Sequence, residues 1–291
     1  MKISAILKSG SPSVSFEVFP PKKDMPLART EEVVAQIAAE RPAFMSVTYG
    51  AAGGSTGANT CAIARHVQEN CGVPALAHLT CIAASHDMIA REIESFRAAG
   101  IENVLCLRGD CPPGMEFPGD PDFRHAADLV RALAGAGFCL GGACYPEGHP
   151  ECAHLTDDIA HLKAKVDAGL DFLTTQMFFD NNVYFRYLAR LRNAGITVPV
   201  VAGIMPVTNG RQIARICQLS GTMLPPRFRA IVDRFGDDPV AMLDAGVAYA
   251  TEQMIDLFAN GAENVHVYTM NKPEIAARIM ANLRGILQGV H

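Results

Sequence analysis

Ala99-Gly100-Ile101-Glu102-Asn103-Val104-Leu105-Cys106-Leu107-Arg108-Gly109-Asp110 decides the fold. A helical pattern (Ile89, Ile93, Phe96) stops at Gly100, which suits the left-handed turn after a helix because it has no Cβ. Asn103–Leu107 is apolar on both faces, as in a parallel strand covered on each side. The run then breaks into a cation, a glycine and a carboxylate. The same punctuation recurs at Gly137, Gly169, Gly195 and Gly261, each just ahead of another apolar run. Working outward gives eight strands: Val14–Phe19, Phe44–Tyr49, Ala75–Thr80, Asn103–Leu107, Cys139–Tyr145, Phe172–Phe178, Val198–Met205 and Asn264–Thr269. Helical spacing returns between them, at Leu155, Ile159, Leu162 and Val166, and at Val240, Leu243, Val247, Met254 and Leu257. Ser85, Thr156 and Asn209 are the predicted helix N-caps.

A strand–helix unit repeating every thirty residues or so predicts an α/β fold, a single (β/α)8 TIM barrel filling residues 1–291 as one domain. One interval is overlong. Between Met205 and Asn264 there is room for an extra helical insertion, placed around Pro225–Asp233, ahead of a long helix from Pro239 to Ala259. A doubly wound open sheet is the runner-up, but no Gly-x-Gly-x-x-Gly turn follows the first strand.

Composition narrows the function. With 49% hydrophobic and 19% charged residues in 291, the balance is that of a globular chain able to bury a core. A net charge of −5 argues against a nucleic-acid surface, and the single basic pair Lys22-Lys23 reads as a solvated loop. The nine cysteines are irregularly spaced, with no Cys-x-x-Cys, so no metal site is expected within the chain. Cys106, Cys139 and Cys144 fall inside apolar strands and read as buried thiols of a reducing cytoplasm. Met1–Gly10 has no apolar run of signal-peptide length. Val198–Val207 is about half a membrane span and holds two prolines, so no membrane partner is expected.

Barrels carry their chemistry at the C-terminal ends of the strands. There the sequence offers Glu17 among Phe16, Val18 and Phe19; Thr48-Tyr49; His78; Arg108-Gly109-Asp110; Tyr145 with Glu147 and His149; Gln176; and Tyr268. Polar groups from that many strands exceed what a structural barrel needs. Apolar flanks should raise the pKa of Glu17 and suit it to general-acid work, unless it points to water or pairs with Arg108. Arg108 can fork onto a phosphate or carboxylate, or close an internal bridge with Asp110. Gln176 presents a donor and an acceptor to a heterocycle edge, or is a satisfied lumen residue. The three tyrosines either stack on a ring or pack. His78 and His149 with Glu147 make a weak metal set. A Schiff-base reading fails for want of a lysine in any strand: Lys163 and Lys165 lie in a helical segment and Lys272 follows strand eight.

Taken in order, Phe16-Glu17-Val18-Phe19-Pro20-Pro21, Ser46-Val47-Thr48-Tyr49-Gly50-Ala51, His78-Leu79-Thr80-Cys81, Leu107-Arg108-Gly109-Asp110, Tyr145-Pro146-Glu147 with His149-Pro150-Glu151, Lys165-Val166-Asp167-Ala168-Gly169 and Thr175-Gln176 resemble methylenetetrahydrofolate reductase. The likeness runs along nearly the whole chain and is to the bacterial catalytic barrel, without the C-terminal regulatory domain of eukaryotic members, so no inhibition by S-adenosylmethionine is expected. The resemblance implies FAD held by Thr48, Tyr49, Ala51, His78, Arg108, Gly109, Asp110, Ala126, Tyr145, His149, Asp158 and Lys165. It implies ping-pong reduction of 5,10-methylenetetrahydrofolate to 5-methyltetrahydrofolate with NADH or NADPH, as in one-carbon metabolism and methionine biosynthesis. Glu17 would be the general acid and Asp110 the electrostatic partner, with Gln176, Gln212, Tyr268 and Lys272 also at the substrate. A homo-oligomer is expected. Many relatives carry Phe and Arg where this chain has Met177 and Lys272. That departure leaves a second reading open: a catalytic subunit fed by a ferredoxin or other iron–sulfur electron-donor partner protein. A flavin-free pterin methyltransferase or aldolase barrel is the third.

Overall fold

The computed structural model describes residues 1–21, 25–49, 56–82, 84–110 and 123–289. Eight strands run β1 (Ser13–Val18), β2 (Met45–Val47), β3 (Ala75–Thr80), β4 (Asn103–Leu107), β5 (Cys139–Cys144), β6 (Phe172–Thr175), β7 (Val200–Ile204) and β8 (Asn264–Tyr268). All pair in parallel in sequence order, and β8 closes on β1. Closure brings Ser15 opposite His266 and Glu17 opposite Tyr268. The connecting helices are α2 (Leu27–Ala38), α3 (Thr56–Glu69), α4 (His86–Ala98), α5 (Ala126–Leu133), α6 (Leu155–Asp167) and α7 (Asn181–Asn193), followed by α8 (Gly210–Ser220), α9 (Pro226–Phe235), α10 (Pro239–Ala259) and α11 (Pro273–Gly289). This is the expected (β/α)8 barrel.

Strand alternation sorts the side chains. Val14, Phe16 and Val18 of β1, with Met45 and Val47 of β2, face outward into the main apolar layer under the helices. Ser15, Glu17, Ser46 and His78 face the lumen. The lower lumen is apolar: Phe44, Leu76, Leu105, Cys139, Phe172 and Val201 pack with Ile3 and Leu7. The space is tight, since a Cβ on Gly141 would stand 2.4 Å from the Phe172 ring. Ile3 belongs to α1 (Ile3–Ile6), a short helix that plugs the floor and that apolar periodicity did not reveal. Asn103 ties the plug down: its Oδ1 accepts from Ile3 N at 2.8 Å, and its Nδ2 donates to Met1 O and Ala75 O at 3.1 and 3.0 Å.

Several expectations shift in detail. Ser85 and Asn209 do cap α4 and α8. Thr156 does not: α6 starts at Leu155 with His154 as N-cap, so Thr156 lies inside the first turn. The predicted strands also overrun. β2 stops at Val47 and β6 at Thr175, because the chain must leave the ladder to reach the next helix; Tyr49, Gln176 and Met177 are carried onto the rim, while Phe178 turns into the apolar layer. The β7–β8 interval holds α8 as well as the expected extra helix α9. Their apolar sides, including Ile213 and Phe228, cover Met177, Phe179, Val207 and Met242. Cys106, Cys139 and Cys144 are buried free thiols. No helix among the described residues is long and apolar enough to cross a membrane.

Replacing Asn103 by Ala leaves a buried amide and carbonyl unpaired under the plug. Urea unfolding should show a loss of about 1–3 kcal/mol, and unchanged stability would mean the plug is held by apolar contact alone.

Candidate active site

Two cavities open at the C-terminal rim. The larger, about 700 Å³, is the lumen mouth, bounded by Glu17, Thr48, His78, Asp110, Gln176 and Tyr268. The smaller, about 500 Å³, lies between α5 and α6 beside the ends of β4 and β5, with Ala126, Asp158 and Lys165 in its wall. Arg108, Tyr145 and His149 line both, so the two form one bent cleft.

Glu17 sits in the mouth with 21% of its side chain accessible. Burial pushes its carboxyl up from the ordinary carboxylate range to about 8. Facing it at 3.7 Å is His78 Nε2, a buried atom with no hydrogen-bond partner. Burial pulls His78 down to about 3. The separation is too long for a hydrogen bond, and near pH 7 both groups are neutral. The contact is therefore a carboxylic acid beside an uncharged imidazole, not an ion pair. Neither alternative considered for Glu17, solvent or Arg108, is its setting.

Below this pair lies a third group, at the start of the strand-eight end, to which the sequence reading gave no role. His266 Nδ1 is 2.7 Å from Ser15 Oγ, and its Nε2 is 2.9 Å from Ser46 Oγ. Ser15 also donates to Val265 O at 3.0 Å, so its oxygen accepts from Nδ1–H, and Nε2 accepts from Ser46. Burial and the neighbouring His78 hold His266 down at about 3, hence neutral. His266 meets the Tyr268 ring edge-on at 5.6 Å. The Tyr268 hydroxyl donates to Thr175 O at 2.6 Å across the top of β7. That crossing needs Gly203, where a Cβ would stand 2.5 Å from the hydroxyl. The lumen period of two was the available signal: Ser15 lies two residues before Glu17, and His266 two before Tyr268.

The rim toward the smaller cavity is built around β4 and β5. Gly109 has φ +89, and a Cβ there would lie 2.9 Å from Ile82 Cγ2, so the turn admits glycine alone. Arg108 pairs with Glu151, not with Asp110, through bonds of 2.5 and 2.7 Å. Asp110 is exposed at the mouth. His149 Nδ1 accepts from Glu151 N at 3.1 Å, which leaves Nε2–H as the donor of the neutral ring. His149 packs edge-on against Tyr145 at 4.6 Å. Lys165 is half-buried, donates to Ala143 O at 2.6 Å and has its pKa lowered by desolvation. Asp158 accepts from His149 N at 3.3 Å, and burial raises its pKa. Tyr49 reaches Glu92 at 3.4 Å. Gln176 Oε1 accepts from its neighbour Met177 N at 2.9 Å, leaving its amide NH2 for the mouth.

Two expected site residues among the described ones are not gathered here. Gln212 is exposed on α8, and Lys272 donates to Thr208 Oγ1 at 2.8 Å; neither lines the cleft. Ala51 lies outside the described residues. Among those residues no cluster of His, Cys, Asp and Glu could hold a metal ion.

A family model for methylenetetrahydrofolate reductase matches residues 2–284. The chain belongs to the methylenetetrahydrofolate reductase family. It is 35% identical over 97% of its length to methylenetetrahydrofolate reductase (NADH) 1 of Zea mays, and spans about half of that plant relative. It is 34% identical to the 5,10-methylenetetrahydrofolate reductase of Escherichia coli, over 97% of this chain and 93% of that one. Among solved structures, an uncharacterised Clostridium thermocellum protein that binds two copies of 5-methyl-5,6,7,8-tetrahydrofolic acid superposes with TM-score 0.61. At 15% identity, over 99% of each chain, that likeness is one of fold.

The Glu17 setting has a pH signature. A carboxyl whose pKa is raised on folding contributes stability that is intact below the unfolded value, near 4.5, and is lost as pH rises through about 8. The Glu17 contribution should therefore fall across that window, read as the difference between wild type and Glu17→Gln, because His78 and His266, both held down by burial, tilt total stability the other way below their ordinary value. Equal slopes in the two proteins would place the carboxylate in water.

Proposed function

We propose that this chain binds FAD along the bent cleft and reduces 5,10-methylenetetrahydrofolate to 5-methyltetrahydrofolate, with NADH or NADPH as electron donor. The observation that carries the reading is a carboxyl enclosed at the barrel mouth, with its pKa raised by burial, beside a side cleft whose wall holds Arg108 and Lys165. The residues suit a flavin dinucleotide on three counts. His78 offers a buried ring nitrogen without a partner. Gly109 lets the backbone come close to a flat ring. Arg108, His149 and Lys165, in the wall of the side cleft, would hold its diphosphate. FAD, when bound, supplies hydride chemistry that no side chain can.

The chain's own contribution is binding, orientation and the proton. The methylene bridge of the substrate opens when its leaving nitrogen is protonated, and Glu17 holds a proton at neutral pH for that transfer. Neutral His78 and His266 beneath it add no positive charge that would pull the proton away. Asp110, on the rim, places negative charge beside the cation that develops as the bridge opens. Gln176 turns its NH2 toward the pterin edge. Tyr268, locked onto Thr175 O, gives the ring a fixed wall. The NADH in the plant relative's name supports a nicotinamide donor.

Purified protein should be yellow with a flavin absorption band, and anaerobic NADH or NADPH should bleach it. Glu17→Gln should keep the colour and the bleaching while folate turnover falls about 10²–10⁴-fold. Normal turnover in that variant removes Glu17 from proton transfer. Flavin that neither nicotinamide bleaches moves the electron source to a protein partner, and colourless protein ends the flavin reading.

A further inference from the structure

Arg108 stands where the two cavities meet. Both of its terminal nitrogens are engaged, in a parallel fork on the two oxygens of Glu151. That fork is the geometry with which arginine grips a phosphate, and one pair of N–H groups serves one oxyanion at a time. The two partners differ in how they are held. The Arg108 side chain is 18% accessible and the Glu151 side chain 61%. The guanidinium is set into the wall; the carboxylate reaches in from the surface.

Other charged pairs in the smaller cavity carry a second structural task. Asp128, which meets Arg131 at 2.7 Å, also accepts from His125 N at the start of α5. Asp158 accepts from His149 N and stands beside half-buried Lys165. Removing either would leave a helix start or a backbone N–H unsupported. Among the described residues the hydrogen bonds of the Glu151 carboxylate all go to Arg108. Its backbone stays fixed by the bond to His149 Nδ1 when the side chain swings away.

We propose that Glu151 is a place-holding anion. It occupies the Arg108 fork until a diphosphate ester enters the cleft between α5 and α6, then yields the fork and turns to solvent. The exchange trades a carboxylate of one charge for a diphosphate of higher charge, so Coulomb attraction favours it for that ligand class and gives no gain for simple carboxylates. FAD is the natural diphosphate only on the reading above; the exchange itself requires just the anion. Glu151 sets the affinity of the site by competing with the ligand, and it adds no contact of its own to the bound state.

The test compares full-length wild type with Glu151→Gln, whose melting temperature should hardly change because the pair is exposed on the Glu151 side. FAD retention on dilution, followed by recovery of flavin fluorescence, should show about three- to tenfold tighter binding in the variant. Inorganic pyrophosphate, titrated calorimetrically into flavin-stripped protein, should tighten by a similar factor. Equal or weaker binding of both probes by the variant overturns the proposal, as does failure of either protein to bind pyrophosphate. If neither protein holds FAD but pyrophosphate still binds more tightly to the variant, the flavin reading falls and the place-holder stands.

Discussion

Closure of the ladder between β1 and β8 is the constraint on which the rest of the molecule depends. An open parallel sheet leaves two edges with unpaired backbone groups, whereas a ring leaves none. The ring also creates an inside. Once Glu17 lies opposite Tyr268, residues from the two ends of the chain share one rim. Every second side chain of every strand must then find a place in a space barely wide enough to hold it.

The lumen solves that problem by grading polarity from floor to mouth. Apolar side chains and α1 seal the bottom, two serines and His266 make a neutral hydrogen-bonded tier, and Glu17 with His78 tops it. A charge in this column would lie over low-dielectric apolar packing. The imidazoles and the carboxyl accordingly settle in their uncharged forms. Burial is what raises the pKa of the acid, and the neutral imidazoles do not oppose it. Outside the column, toward α5 and α6, the charged residues return as matched pairs. The cleft thus passes from a carboxyl with a raised pKa to a wall of paired charges around Arg108.

Much of the architecture was legible because it follows from periodicity. Apolar runs on both faces and the glycine-terminated helices place every strand and most helices. Legibility failed where a neighbour, and not local pattern, decides the outcome. α1 is too short for a helical period and exists because the floor needs a plug. Thr156 has the chemistry of a cap but sits one residue inside its helix. Gln212 and Lys272 belong to the expected motif positions, yet α8 directs one outward and Thr208 engages the other. Ser15, Ser46 and His266 were obscured because each is unremarkable in its own strand; only the closed ring brings the three together.

The amino-acid sequence by itself determined the barrel, the order of its strands, the family and the strand ends where chemistry gathers, because those depend on spacing along the chain. Tertiary structure alone decided which groups are charged and what each one faces. It buried Glu17 beside a neutral histidine, turned Arg108 from Asp110 to Glu151, and joined two cavities into one cleft. Protonation and pairing depend on desolvation and on distances across the ring, and neither is encoded in any single stretch of sequence.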